Sequence, residues 1–317
     1  MIKNHRVLVK VFVVFVLSLY LSSCTKIVEI EIPDTNKVPV INCLFSNDSI
    51  LQLRLSSSFS LCEDIPAPIN NANILLFEND LLIENLSFLN GFYESNIVPK
   101  SGKRYSIKAS IPEFDNDLEI IAFDTIPSEP ILYSFSFNDS AIFDMQGYPA
   151  SQAIIEIEDN SYDLQYYEVM LIMKYKRSSL DTIYEKRIAD YCAENYDPVL
   201  TDEGLLDFKP KTLVFSNKRF IGQKYSLKIN FQNTLYLEDS YPQFKELKLI
   251  VHLRKVSKSY YKYKKQLTIH QSSLNSDFWS GTTEPSTMYS NITGGYGIFA
   301  GYTQITDTIT KYYGFIN

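Results

Sequence analysis

Short segments in which apolar and polar residues alternate make up most of the chain. Tyr105–Ala109 alternates cleanly, and Tyr167, Val169 and Leu171 share one side of a longer segment. Successive side chains of a strand point to opposite faces, so this period of two predicts half-buried β-strands. Turn residues at short intervals favour a β-sandwich. The predicted strands cover residues 38–45, 50–55, 73–77, 81–86, 91–95, 105–109, 118–125, 131–137, 151–158, 166–175, 225–231 and 246–254.

Three other segments have a different pattern. In residues 257–272 apolar positions recur every three to four residues, which predicts one helix with Ser257 at its N-cap. The lysines on its other side, at 258, 262, 264 and 265, are expected to face solvent, with anionic headgroups as the alternative. Residues 187–210 lack a clear period and are predicted to be an irregular insertion with a short helical turn. The glycine-rich stretch 291–302 predicts a bulged or tightly turned strand pair.

The beginning of the chain is patterned for export. Three basic residues precede the apolar run Val11–Leu21, and two serines then lead to Cys24. A positive start, a short apolar core and small residues at a cut site are typical of a secretory signal peptide. Leu21-Ser22-Ser23-Cys24 resembles the lipobox of bacterial lipoproteins, which implies that Cys24 becomes the first mature residue and carries lipid such as palmitate. An uncleaved anchor helix is the alternative, but the apolar run is short for a bilayer.

The length of the chain and the positions of two prolines predict two folded domains. Removing residues 1–23 leaves 294 of the 317 residues, more than a single core usually serves. Pro127 and Pro130 bracket the expected boundary. The predicted fold is mainly β, with two β-sandwich-like domains in tandem after a lipoprotein signal peptide. The predicted segments are the signal peptide at 1–23, a lipidated tether at 24–36, an N-terminal β-sandwich at 37–127, and a β-rich domain with one helix at 128–317.

The net charge of the chain excludes one class of partner. The chain has 37 acidic and 30 basic residues, and residues 1–23 contain three of the basic ones. The mature chain therefore has a net charge of −10. Nucleic-acid binding depends on basic surfaces, so no nucleic-acid partner is expected.

Recognisable catalytic and metal-binding motifs are absent from the sequence. The mature chain contains two histidines, His252 and His270, and neither an HExxH, a CxxC nor a G-x-S-x-G motif. Glu156 and Glu158 share one face of a predicted strand, as an acid–base pair or a Ca²⁺ site requires, although a solvated strand face is the commoner explanation. We therefore expect no enzyme activity, no metal site and no cofactor.

The cysteines leave one pairing open. Once Cys24 is lipidated, Cys43, Cys62 and Cys192 remain, and an odd number cannot all pair within the chain. A Cys43–Cys62 disulfide is one possibility in an oxidising compartment, and burial as small apolar side chains is the other.

Aromatic residues give the one candidate interaction surface. Tyrosine suits both protein interfaces and glycan stacking, and the densest aromatic group lies in and after the predicted helix. Packing of the helix onto a sheet through these tyrosines is the commoner explanation. The candidate residues are Tyr260, Tyr261, Tyr263, Phe278 and Trp279.

Several segments together resemble the DUF4249 family of Bacteroidetes lipoproteins. In order along the chain they are the lipobox, Val38–Leu44, Ser56–Ser58, Ile69–Ile74, Gly91–Tyr93, Pro99–Tyr105, Ser259–Tyr263, Tyr289–Ile292 and Gly295–Gly301. The chain has Cys43 where family members usually carry glycine. The resemblance implies an exported lipoprotein with two mostly β domains whose relatives neighbour TonB-dependent outer-membrane receptors, and the family has no known molecular function.

The expected function follows from the anchor and this resemblance. We expect a non-enzymatic accessory or binding protein, held at the outer membrane by its N-terminal lipid and associated with a TonB-dependent transporter. The alternative is a structural or adhesive envelope protein that binds glycan or a protein partner through sandwich loops. The periplasmic and cell-surface faces of the membrane both stay open.

Five tripeptides resemble the Asp-Ser/Thr-aliphatic sites that are O-glycosylated in exported Bacteroidetes proteins. Such short motifs also arise by chance, so one or two are expected to be used. The acceptor residues are Ser49, Thr125, Ser140, Thr182 and Thr308.

Overall fold

The computed structural model describes residues 36–313 except for 60–63, 113, 115–118, 145–146, 177–181, 193–195, 233–244 and 275–286. The predicted signal peptide, nearly all of the tether, Cys24, Cys62, Phe278 and Trp279 therefore lie outside the described residues. The chain from Lys37 onward forms one compact unit.

Strands dominate the described part of the chain. They are joined by a short helix α1 (Pro198–Thr201), a 3₁₀ turn (Leu206–Phe208) and a long helix α2 (Lys258–Leu274). The strands in chain order are β1 (Pro39–Ser46), β2 (Gln52–Ser57), β3 (Asn73–Glu78), β4 (Leu81–Asn85), β5 (Ser87–Leu89), β6 (Phe92–Glu94), β7 (Arg104–Ser110), β8 (Ile120–Thr125), β9 (Ile131–Phe143), β10 (Pro149–Glu158), β11 (Tyr166–Lys176), β12 (Glu185–Ile188), β13 (Leu213–Ser216), β14 (Lys224–Gln232), β15 (Glu246–Val256) and β16 (Tyr296–Tyr312). The predicted mainly β fold is confirmed, and so is its one long helix.

These strands form three sheets. A nine-stranded sheet has the order β12-β11-β15-β16-β1-β2-β6-β5, with β13 also paired to β11. A four-stranded sheet has the order β4-β3-β7-β8, and a three-stranded sheet has the order β14-β10-β9. The large sheet therefore provides one layer for each of the two smaller sheets.

The first sandwich packs the four-stranded sheet on one half of the large sheet. Alternate residues of β1, including Ile41 and Phe45, are buried against alternate residues of β3 and β7, including Ile74 and Ile107. This is the period of two expected when only one face of each strand is buried.

The second sandwich packs the three-stranded sheet on the other half. Val169 and Leu171 of β11 and Val251 of β15 face Ile155 of β10 and Leu227 of β14. The first core consists mainly of residues before position 127 and the second of residues after it. Division into domains at 37–127 and 128–317 stays a prediction.

Strand β16 belongs to both sandwiches. Its first part pairs in parallel with β1, from Val40↔Tyr296 to Ser46↔Tyr302, and the rest pairs antiparallel with β15 as far as Glu246↔Tyr312. Gly297 has φ +111°, and a Cβ there would lie 1.9 Å from the carbonyl oxygen of Ile41. Only glycine permits this close approach. The glycine-rich end is therefore the start of one long strand, and the predicted turned strand pair is wrong.

Helix α2 covers the outer face of the large sheet near the start of β16. Tyr260 packs with Val256, Ile298 and Ala300, all of which point away from the two sandwich cores. Ser257 caps the helix as predicted, since its hydroxyl accepts a hydrogen bond from the backbone N–H of Tyr260 at 3.1 Å. No helix in the described part is both long enough and apolar enough to cross a membrane.

Candidate functional site

The tyrosines of the predicted interaction surface lie on the inner side of α2. Tyr260 has no exposed surface, and its hydroxyl donates to Glu168 at 2.7 Å. Tyr261 stacks on Tyr166 with ring centroids 4.5 Å apart and donates to Glu203, and Tyr263 is half-buried. Burial raises the pKa of both Tyr260 and Tyr261. The described tyrosines thus attach the helix to the sheet.

Beneath α2 lies a buried charge cluster. The Glu168 carboxylate, with no exposed surface, is 2.8 Å from Arg254 Nη1 and 3.3 Å from Lys264 Nζ. Burial alone favours the neutral acid, but the attraction of Lys264 and Arg254 outweighs it and lowers the pKa of Glu168. Lys265 pairs with Glu203 in the same way, at 2.7 Å. Two of the four lysines that were expected to face solvent therefore fix the helix.

A second polar cluster joins the first sandwich to α2 and β16. Asp124 of β8 accepts hydrogen bonds from the hydroxyl of Ser257 and from the backbone N–H of Gly301, the latter at 3.0 Å. Burial raises the pKa of Asp124 to about 6 although these hydrogen bonds oppose the shift. Asn291 also binds both backbone groups of Phe299, at 2.7 and 3.0 Å. These contacts join β8 and the segment before β16 to α2 and to the first part of β16.

A cavity of about 300 Å³ lies where the linker between the sandwiches meets the end of β10. Lys255 Nζ donates to Ser128 Oγ at 3.0 Å there, and burial lowers the pKa of Lys255 although Asp159 opposes this. Hydrogen bonds from Ser161, Asn217 and Gly222 lower the pKa of Asp159 despite its burial. This arrangement can hold water or a small polar molecule.

The other chemical candidates are separated from one another. Glu156 accepts a hydrogen bond from Ser134 at 2.8 Å, and Glu158 pairs with Lys224 at 3.3 Å. His252 bonds to Thr306 at 2.7 Å. Among the described residues, no group of three or more His, Cys, Asp or Glu side chains is placed to hold a metal ion. Cys43 is a buried free thiol, and its burial raises its pKa.

All five predicted glycosylation acceptors are exposed. Ser49 lies in the loop after β1, Thr125 at the end of β8, Ser140 in β9, Thr182 before β12 and Thr308 in β16. Exposure is necessary for modification, and the glycosylation itself stays a prediction.

The most distinctive surface is the open edge of the first sandwich. Strands β4 and β5 are the edge strands of two different sheets, and the chain passes from one sheet to the other at the buried Leu86. We call Leu81–Leu89 the edge segment. Apart from Leu86, its apolar side chains face solvent, with exposed fractions of 74% for Leu81, 58% for Leu82 and 54% for Leu89. Phe88 and the adjoining Phe92 are also exposed.

A family model matches residues 25–308, described as a domain of unknown function, DUF4249. The chain belongs to the DUF4249 family. No curated protein matches this DUF4249 protein in sequence. Among solved structures it is similar to "Biofilm associated protein - B domain", at 8% identity over 85% of each chain and a TM-score of 0.22. A likeness that weak supports no conclusion about this DUF4249 protein.

The edge segment of this DUF4249 protein was not recognised from its sequence. Leu81–Leu86 is predicted as a strand, and its apolar residues suggest burial. The one available signal was an apolar run with little alternation, Leu81-Leu82-Ile83 followed by Phe88-Leu89. Its position at the edge of two sheets, which leaves these residues exposed, depends on tertiary structure.

Proposed function

We propose that the protein is a non-enzymatic accessory protein, lipid-anchored at the outer membrane, that binds a TonB-dependent transporter through the edge segment. The observation that carries this proposal is the row of exposed apolar side chains on two edge strands. The lipobox-like sequence at Cys24 and the implied neighbours of the family support the choice of membrane and partner.

An exposed apolar edge is unusual in a protein that acts alone. Edge strands present unpaired backbone N–H and C=O groups, and proteins usually protect them with lysine, proline or a covering element. The edge segment contains neither lysine nor proline. A partner strand added to such an edge gains backbone hydrogen bonds, and pockets for alternate side chains supply selectivity. Docking of a partner would remove both the open edge and the apolar surface.

The test is co-isolation of the full lipidated chain from outer membranes in mild detergent, followed by mass spectrometry. The variant Leu82→Lys/Leu89→Lys changes two exposed positions of the edge segment. The matched control Leu164→Lys/Ile183→Lys changes two exposed apolar positions of the second sandwich. We expect a stoichiometric TonB-dependent receptor with the wild type and the control, and its loss with the edge variant. Recovery of no membrane protein, or equal recovery with both variants, contradicts the proposal.

A further inference from the structure

Three lysines lie side by side on the outer face of the large sheet in the second sandwich. In the strand register Lys174 of β11 is directly opposite Lys186 of β12 on one side and Lys248 of β15 on the other. Directly opposed residues point to the same face, with strands about 4.8 Å apart. We call Lys186, Lys174 and Lys248 the lysine row.

The charge of this row is largely uncompensated. Within the described residues, Lys174 and Lys186 have neither an ion pair nor a hydrogen bond from the side chain. Lys248 lies 4.4 Å from the centre of the Tyr184 ring and 3.6 Å from Glu246, whose carboxylate already accepts the Tyr184 hydroxyl at 2.5 Å. Lys176 adds a further cation on Tyr184, also at 4.4 Å. A positive face thus forms on a protein with more acidic than basic residues.

His252 shows the reach of this positive charge. It lies on the same face of β15 as Lys248, and burial lowers its pKa together with repulsion from Arg254, Lys186 and Lys174. Like charges directly opposed in a sheet are destabilising. A bound anion would offset the repulsion among the three lysines, which gives a reason for placing them side by side.

The neighbouring strand supplies groups of a different kind. Thr306, Thr308 and Thr310 of β16 are exposed and lie opposite His252, Ile250 and Lys248 on the same face. Tyr312, opposite Glu246, is 76% exposed. Hydroxyl groups match the hydrogen bonding of sugar hydroxyls, and an exposed aromatic ring suits stacking on a sugar. Cations, hydroxyls and an aromatic ring therefore share one face of the sheet.

We propose that this face, centred on the lysine row and the adjoining threonines of β16, binds an acidic polysaccharide. The lysines bind its carboxylate or sulfate groups, and the threonines and Tyr312 bind its sugar units. The proposal is independent of transporter docking, because the edge segment belongs to the other sandwich.

The test measures binding of the mature chain, produced without O-glycosylation, to immobilised polygalacturonate as salt is varied. The variant Lys174→Gln/Lys186→Gln removes two charges from the row. The control Lys228→Gln/Lys258→Gln removes two charges from exposed positions on β14 and α2. We expect the row variant to bind roughly tenfold more weakly, the control to change less than about twofold, and salt to weaken binding by the wild type. The row variant should be at least as stable as the wild type, because repulsion is relieved.

Four results would overturn the proposal, and two of them would identify a different source of the anion. Equal weakening in both variants overturns the proposal, because only net charge then matters. Equal binding to neutral dextran overturns it as well. Binding to polyglutamate as tight as binding to polygalacturonate overturns the proposal of a polysaccharide ligand and indicates an acidic protein as the partner. Row-dependent binding to phosphatidylglycerol vesicles without binding to polygalacturonate indicates a membrane surface and also overturns it.

Discussion

Replacing Glu168 by glutamine tests whether the buried charge cluster holds helix α2 on the sheet. The substitution keeps the shape of the side chain and removes its charge. Arg254 Nη1 at 2.8 Å and Lys264 Nζ at 3.3 Å then lose their counter-ion, while the Tyr260 hydroxyl keeps an acceptor. Removing one partner of a buried ion pair typically costs about 3–5 kcal/mol.

The lower end of that range applies to Glu168→Gln. The side chains of Arg254 and Lys264 are 19% and 21% exposed, so both cations regain some water. We expect the free energy of unfolding to fall by about 3 kcal/mol in urea titrations at neutral pH, with an unchanged denaturant slope.

The control for this prediction is Glu156→Gln. Glu156 is a carboxylate on an exposed strand face that accepts a hydrogen bond from Ser134. Its change should cost less than about 0.5 kcal/mol. A second check follows from the sign of the pKa shift. Because the pKa of Glu168 is lowered in the folded protein, its stabilisation is present above the ordinary glutamate pKa and is lost as pH falls through the lowered value. The difference between wild type and Glu168→Gln should therefore shrink in acid. A loss below about 1 kcal/mol at neutral pH would refute the reasoning.

Two further predictions concern Asp124, which joins β8 to α2 and β16, and Gly297 of β16. Burial raises the pKa of Asp124 to about 6, so this residue favours folding when protonated. That contribution, up to about 3 kcal/mol, is fully present below about pH 4 and is lost as pH rises through about 6. The unfolding free energy of wild type minus that of Asp124→Asn, measured in urea, should fall across this window, and a rising difference contradicts the assignment. Gly297→Ala places a Cβ 1.9 Å from a backbone carbonyl oxygen of β1 at φ +111°. It should lower stability by about 3 kcal/mol or more in the same assay, whereas Gly204→Ala, which meets nothing within 4 Å, should cost about 1–2 kcal/mol. Equal losses in the two alanine variants would show that only the positive φ matters.

Local patterns predicted most of the longer elements. The alternation in Tyr105–Ala109 corresponds to β7, and the spacing of apolar residues at 257–272 corresponds to α2 with its Ser257 cap. Strands β5, β12 and β13 were not predicted. Three or four residues are too few to display a period, and neighbouring strands stabilise such segments.

The candidate surfaces were less predictable than the strands. Lys264 was expected to face solvent, yet it contacts Glu168 beneath the helix, as Tyr260 does. Glu168 lies 92 residues from Tyr260 in the chain, and no local pattern pairs them. The lysine row was also invisible to local patterns. Each of its lysines comes from a different strand, and only the strand register makes them neighbours.

The sequence by itself determined the family, the β-rich class, the helix and the positions of most strands, because these depend on composition and on periods within about ten residues. The tertiary structure decided how the strands are shared. Strand β16 pairs with β1 across more than 250 residues of sequence and with β15 further along, so a single sheet supports both sandwiches. It also decided which apolar residues stay exposed at the open edge and which charges are buried. Those properties depend on contacts between distant segments, which leave no periodic signal in the chain.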